Sequence, residues 1–401
     1  PRDPSRMSQR LGRSGHRIKE TAIGRIVSTD ATQVLESAVI ARRTLAGELE
    51  PSRIREMPMA VLANQIISWT VCDKNVEKSE FLKIIKKAYP FRKLNDTIID
   101  DLLELLDQVH QNRTIGKSVR QGPRAMKYFH GNLSLIPDQR TYGVRDITTQ
   151  KMIGRLDERF ILDLAPGDRI VFRGLVWSVV EIDEQVTVSP SSSLGELPRW
   201  IGEDIPVPYS VALEASERLS EGNWDNLPIT DEARVVLDDY HTSILDAGVM
   251  PSPNCLSIEQ HERLFIVNYP GGSRLNRTIG MIITAMLSAK SGYKVGYQFD
   301  PYRIILDAPT RTTVKDMLAI MKGFERGIAG LLRFSMRDSP ALKSQLLHAA
   351  RKMGAIGPEA DVSRFGMRRL IEAYSDTPLY TEAIERFLFH QLDEEGMEEF
   401  I

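Results

Sequence analysis

The chain has 401 residues, 42% of them hydrophobic and 26% charged. That length allows roughly two to four domains, and the composition is that of a folded globular protein. Disorder, a collagen repeat and a membrane bundle are excluded. The 52 basic and 54 acidic side chains leave a formal net charge of −2, so a nucleic-acid-binding surface would have to be local.

Cys72 and Cys255 are the two cysteines. Alone they make neither a disulfide framework nor a zinc site, and they fit a reducing, cytoplasmic setting. No apolar run approaches the ~18 residues of a membrane span, and no signal-peptide pattern is present. The chain starts at Pro1 rather than Met, with an ordered motif almost at once. The expectation is the C-terminal part of a longer protein.

Residues 9–17 read Gln-Arg-Leu-Gly-Arg-Ser-Gly-His-Arg. Gly12 and Gly15 let the backbone turn tightly beside a phosphate or another domain. Arg10, Arg13 and Arg17 offer permanently charged, forked donors suited to phosphate. A basic loop without a nucleotide role is the competing reading. The pattern resembles motif VI of superfamily 2 helicases, Gln-x-x-Gly-Arg-x-Gly-Arg, which ends the second RecA-like domain. There its arginines reach the ATP bound on the first. The resemblance implies Arg13 as arginine finger, Arg10 as helper, and Gln9, Gly12, Gly15 and Arg17 at the nucleotide. His16 stands where the broad family has Arg, as in the large helicase-related (Lhr) branch, and Arg17 is available to supply the missing charge. Residues 22–28 resemble the last strand of such a domain. The sequence has neither a Gly-x-x-x-x-Gly-Lys-Ser/Thr P-loop nor an Asp-Glu-x-His box. The chain by itself is therefore expected not to hydrolyse ATP, and ATP and Mg would belong to the full-length parent only.

Residues 31–47 read as a helix carrying Val34, Leu35, Val39 and Leu45, which bridges to the next domain. Residues 58–127 read as three helices and a hairpin. Leu62, Ile66 and Trp69 keep helical spacing in the first. Ser79 is placed to cap the second, which Pro90 stops. Asn95 is placed to cap the third, with Asp96 and Asp100 at its positive end. Three helices and a β-wing make a winged helix. From residue 111 to 137 the charge is one-sided. Arg113, Lys117, Arg120, Arg124 and Lys127 occur with no Asp or Glu, followed by Tyr128, Phe129 and His130. Cations track a phosphate backbone and aromatic faces stack on bases; a solvated wing is the plainer alternative.

Residues 139–208 read as a small barrel or curled sheet, with strands at 141–147, 151–156, 169–173, 175–183 and 186–190. Residues 175–182 are apolar on both parities, which implies two covered faces. Residues 209–401 read as α+β, with helices at 211–220, 230–246, 275–289, 313–326, 343–352, 362–374 and 380–392. Its strands fall at 263–269, 294–299 and 302–306. Residues 393–399 read as a frayed acidic tail. The expected class is α+β multidomain: the end of a RecA-like domain and a linker helix (1–50), a winged helix (51–127), a β-barrel part (128–208) and an α+β part (209–401).

Trp177 and Trp69 read as core, and Trp224 sits in a polar stretch without an evident role. Trp200 follows Pro198 and Arg199 and precedes Gly202. It is either a base-stacking wedge with Arg199 beside it or an anchor plugging the barrel end. Stacking on one base is worth ~1–3 kcal/mol. Ile136, before Pro137, is either a second wedge or ordinary packing. No metal-ligand spacing occurs.

The Lhr resemblance extends over nearly the whole chain through residues 132–138, 172–177, 181–183, 188–190 and 198–203, with Gly272 and Asn276. It implies an ATP-dependent helicase or translocase moving 3′ to 5′ on single-stranded DNA and unwinding RNA:DNA hybrids, linked to repair or processing. Its partners would be the strand and the missing N-terminal RecA-like domains, with no membrane and a monomeric state. A protein-interaction module and a base-excision-type repair domain are the competing functions.

Overall fold

The computed structural model describes residues 2–14, 22–135, 140–162, 164–191, 199–200, 205–248, 252, 255–293, 295–324, 327–336, 339–358, 360 and 367–400. Two compact units emerge. One comprises Pro1–Arg53, Asp204–Arg337 and Gln391–Ile401; the other comprises Ile54–Glu203 and Asp338–His390. The region expected as one piece, 209–401, is therefore divided between them.

The first unit opens with α1 (Pro4–Leu11). Asp3 caps it by accepting from the Arg6 N–H, and Pro4 sits in its first turn. Helix α2 (Ala31–Ala46) runs from an Asp30 cap to Gly47, whose φ of +74° suits glycine. Leu35, Val39 and Ile40 are buried on α2, whereas Leu45 is 77% exposed. Residues 22–28, expected as a strand, are irregular and pair with no strand among the described residues. A strand needs a ladder neighbour to satisfy its backbone groups. Ile23 and Val27 are accordingly 81% and 92% exposed.

The second unit begins with α3 (Met59–Asp73), β1 (Asn75–Glu77), α4 (Lys78–Ile85), a 3-10 turn (Tyr89–Phe91), α5 (Asp96–Gln108), β2 (Asn112–Ile115), β3 (Ser118–Gln121) and α6 (Ala125–Gly131). This is a winged helix whose wing has three antiparallel strands, ordered β1-β3-β2. Asn95 caps α5 by accepting from the Ile98 N–H at 2.9 Å. Helix α5 buries Ile99, Leu102, Leu103, Leu105 and Leu106, each contributing about 1.5–3 kcal/mol of apolar burial. Ser79 does not cap α4. The helix starts one residue earlier, and the Ser79 hydroxyl donates to the Glu77 carboxylate instead.

Next come β4 (Thr141–Asp146), β5 (Met152–Asp157), α7 (Glu158–Ile161), β6 (Arg169–Phe172), β7 (Leu175–Ile182), β8 (Gln185–Pro190) and β9 (Arg199–Trp200). They form one sheet in the order β5-β4-β8-β7-β6-β9. Among the described residues β5 and β9 are its edges, so of the barrel or curled sheet expected it is the curled sheet. Register breaks at Val144/Arg145 and Val179/Glu181 bend it. Strand β7 buries Trp177 and Val179 on one face and leaves Val180, on the other, 43% exposed; Leu175, at the strand's start on the Trp177 side, is 61% exposed. The second face is only partly covered, with Val176 half-buried and Val180 exposed; β-branched residues favour the pleated backbone on either face.

The chain then returns to the first unit with α8 (Tyr209–Glu221), α9 (Asp231–Ala247), β10 (Ser257–His261), β11 (Leu264–Asn268), α10 (Gly272–Ser291), β12 (Gly296–Phe299), β13 (Arg303–Asp307), α11 (Val314–Lys322) and α12 (Ile328–Met336). The antiparallel sheet β10-β11-β13-β12 packs against α10. Trp224 is buried between α8 and α9, its Nε1 donating to Asp238 at 2.7 Å. Asn276 is fully buried and donates to the carbonyls of Tyr269 and Asp300, tying two loops to α10. Helices α13 (Pro340–Lys352), α14 (Met367–Tyr374) and α15 (Pro378–Gln391) belong to the second unit, the last as far as His390.

Helix α16 (Glu394–Phe400) ends the first unit and replaces the expected frayed tail. Met397 is fully buried, and the Phe400 ring meets Tyr269 edge-on at 5.0 Å. The acidic run conceals an apolar pair spaced three apart, which falls on one helical face.

Candidate nucleic-acid interface

The arginine motif sits at the C-terminal end of α1. Gln9 and Arg10 lie in its last turn, Gly12 ends it, and all three are exposed, as is Arg13. A Cβ on Gly12 would stand 3.2 Å from the Ser8 carbonyl oxygen. The Ser14 hydroxyl donates back to the Leu11 carbonyl at 2.7 Å and fixes the turn that presents Arg13. Gly15 and Arg17 lie outside the described residues.

Helix α1 is held on α2. Met7 packs against the α2–α8 core, and the Thr44 hydroxyl donates to the Pro4 carbonyl at 3.4 Å. Arg2 pairs with Glu36 at 3.4 Å, and Tyr302 donates to the same carboxylate. Burial pushes the Glu36 carboxyl above its usual range, against the pull of Arg2 and Tyr302.

In the second unit the wing gathers the basic residues. Arg113 on β2 stands directly opposite Arg120 on β3, and Asn75 on β1 flanks Arg120 on the other side. The Arg120 Nε donates to Asn75 at 3.3 Å. Lys117 lies in the hairpin turn beside Gly116, whose φ is +62°. Val119 and Val76, of opposite parity, are buried against the helices. The arginines therefore share the outer face. Arg124 and Lys127, at the start of α6, are exposed as well. Among the described residues none of these five makes an ion pair.

Tyr128 corrects the expectation of a base-contacting residue. It is buried, its hydroxyl donates to the Lys352 carbonyl at 2.5 Å, and it receives the Asn64 amide at 3.4 Å. Burial pushes its phenol up to about 12, although the Asn64 contact opposes this. A ring held this way has no free face for a base. The wing-adjacent helix α6 alternates solvent-facing cations with a core-facing aromatic.

Arg199 and Trp200 form the edge strand β9, pairing in parallel with Ile170 and Val171 of β6. Trp200 thus belongs to a short strand rather than a free loop, and nothing is described of either side chain. Ile136 lies outside the described residues. The segment leading to it is anchored, because Lys352 Nζ donates to the Ser134 carbonyl at 3.2 Å.

Sequence reasoning missed the framework behind these groups. Arg351 of α13 grips Glu158 with two hydrogen bonds of 2.6 and 2.9 Å and also donates to the Ala360 carbonyl. Arg140 donates to the same carbonyl at 3.2 Å. Glu158 and Ser134, which Arg351 and Lys352 reach, lie 193 and 218 positions away, so no local pattern announces them. Sequence reasoning places Asp96 and Asp100 at the start of α5 but misses that the helix's exposed side stays acidic beyond the first turn. Its exposed side chains Asp100, Asp101 and Glu104 are acidic. Lys78 bridges Asp96 and Asp100 at 3.4 and 2.6 Å, and despite partial desolvation this pairing holds its ammonium above the ordinary range. Side chains of that sign repel a phosphate backbone that approaches them. Among the described residues no cluster of acids, histidines or cysteines is placed to hold a metal, and no helix is long and apolar enough to cross a membrane.

Two family profiles match the chain: the winged helix domain of large helicase-related protein over residues 42–196, and the DEAD/H associated family over residues 250–401. The chain thus carries a winged helix domain of the large helicase-related type and a DEAD/H associated region. It is 24% identical to the ATP-dependent helicase Lhr-Core of Sulfolobus acidocaldarius, across 96% of this chain and 51% of that protein. The Lhr-Core helicase of Methanocaldococcus jannaschii is 23% identical, across 98% of this chain and 50% of that protein. The chain thus spans about half the length of these Lhr relatives. Its fold matches that of Mycobacterium smegmatis helicase Lhr, solved bound to ssDNA and AMP-PNP. That match has a TM-score of 0.77 at 17% identity, covering 100% of this chain and 52% of that one.

Proposed function

We propose that this chain is the strand-gripping C-terminal region of an ATP-dependent helicase or translocase that moves 3′ to 5′ on DNA, including RNA:DNA hybrids. The carrying observation is the outer face of the wing, where Arg113 and Arg120 oppose one another and no carboxylate pairs with either among the described residues. Uncompensated like charges in register favour an external anion. On this reading Lys117, Arg124 and Lys127 extend the track, and Trp200 and Arg199 at the sheet edge, with Ile136, meet the bases.

The second contribution is to nucleotide hydrolysis. Arg13, with Arg10 beside it, serves as the arginine finger, and Gln9, Gly12, Gly15 and Arg17 shape the approach to the phosphates. ATP and Mg would be held by RecA-like residues that this chain does not supply, since it has no P-loop. The bound nucleotide supplies the free energy. What α1 adds is a forked cation at the developing phosphate charge. The exposed Ile23 and Val27 support this reading, as apolar residues that a RecA-like sheet would cover.

The test is strand-stimulated ATP hydrolysis by the chain joined to its RecA-like domains. Arg13→Ala should lower turnover about 10³-fold or more with strand binding retained. Arg113→Gln with Arg120→Gln should raise the strand concentration needed for stimulation. Turnover unaffected by either change would overturn the proposal.

A further inference from the structure

A second basic surface lies on the winged helix, apart from the wing. Residues 83–93 contain Lys83, Lys86, Lys87, Arg92 and Lys93 and no acidic residue. All five are exposed. Lys83, Lys86 and Lys87 are spaced three and four apart at the C-terminal end of α4, so they share one side of it. The Lys86 and Lys87 N–H groups still donate backward, to Leu82 and Ile84, so that side persists past the last helical residue. Among the described residues none of the three lysines makes an ion pair, although Glu80 lies one turn before Lys83.

Lysine near a helix C-terminus has a local use, since it offsets the negative end of the dipole. One lysine serves that purpose. Three in register, continued by two more cations, exceed it. Arg92 and Lys93 are already engaged by Glu56, whose carboxyl their hydrogen bonds hold below its usual range. The Arg92 guanidinium also lies 3.8 Å over the Tyr89 ring. Tyr89 and Ile84 remain 56% and 47% exposed. The patch is therefore a ridge of exposed point charges along α4 beside a braced aromatic.

We propose that this α4 ridge binds the phosphate backbone of a nucleic-acid duplex, without reading sequence. A ridge of point charges gains most from the highest density of anions, and a duplex carries one charge per ~1.7 Å of axis. Single strands are instead held on successive stacking platforms, whereas this surface has one exposed ring, Tyr89, already covered on one face by the Arg92 guanidinium. Lys83, Lys86 and Lys87 supply the ion contacts, and Tyr89 packs on sugar. The inference stands apart from the proposed single-strand grip of the wing.

The test compares a blunt DNA duplex with a single strand, each titrated against the whole chain at several salt concentrations. The variant is Lys83→Gln with Lys86→Gln and Lys87→Gln, all exposed positions. Duplex affinity should fall at least tenfold at low salt, and the slope of log affinity against log salt should flatten by roughly two to three. Single-strand binding should be unchanged. Duplex binding that is absent in the parent chain, or equal in affinity and slope in the variant, would overturn the proposal. Failure of single-strand binding alone would count against the wing and not against the ridge.

Discussion

Arg113 and Arg120 face each other across the β2–β3 ladder, two guanidinium groups in directly paired positions. A hairpin selected for stability alone would place opposite charges or a β-branched pair there. Arg113→Gln and Arg120→Gln are each predicted to reduce the salt dependence of single-strand binding by roughly one phosphate contact. Each should leave thermal stability unchanged or raise it by a few tenths of a kcal/mol. Binding titrations across salt and a melting curve read both effects. A destabilised variant with an unaltered slope would mean that the pair serves the fold.

Tyr128 should behave in the opposite way. Tyr128→Phe removes a buried hydroxyl that donates to Lys352, and about 1–2 kcal/mol of stability should go with it. Strand affinity should not change. The pH dependence has a definite sign. A folded-state phenol raised to about 12, against an ordinary value near 10, favours the neutral form in the fold. Its contribution is complete below the ordinary value and is lost as pH rises through about 12. Alkaline denaturation of the Tyr128→Phe variant should lack that component.

Arg351 and Glu158 are each largely buried and doubly bonded. Arg351→Met should cost about 3–5 kcal/mol, because it strands the Glu158 carboxylate without a partner. The double variant with Glu158→Leu should recover much of that loss. Urea denaturation of the four proteins of the cycle gives the coupling directly, and simple additivity would show the pair to be incidental.

Thr313 caps α11 by accepting from the Asp316 N–H, and the Asp316 carboxylate accepts in return from the Thr313 N–H and from Lys290 at 2.6 Å. The hydrogen bonds from Lys290 and Thr313 lower its carboxyl to about 2. A depressed carboxyl stabilises the fold above its ordinary value, and that contribution is lost as pH falls through about 2. Asp316→Asn should be less stable at neutral pH and show a flatter acid limb in the melting temperature.

Much of the architecture is legible from periodicity. The core face of α5, the Asn95 cap and the strands β4 to β8 follow from spacing and turn residues, because those signals are local. The departures share a cause, which is that partners distant in sequence decide. Tyr128 reads as an exposed aromatic at the end of a basic run until Lys352 and Asn64 close over it. The acidic tail reads as solvated until Tyr269 receives Phe400. Trp224, in a polar stretch, finds Asp238 on α9. The arginine motif is the clearest functional signal because glycine and arginine spacing carries its own geometry. The α4 ridge went unread because lysines at a helix end look like ordinary capping.

The most direct test of the account is titration of a fluorescent single strand with this chain at low and high salt, alongside Trp200→Ala. The account predicts affinity that falls steeply with salt and drops roughly tenfold on loss of the indole. Absence of binding, or binding indifferent to salt and to Trp200, would contradict it.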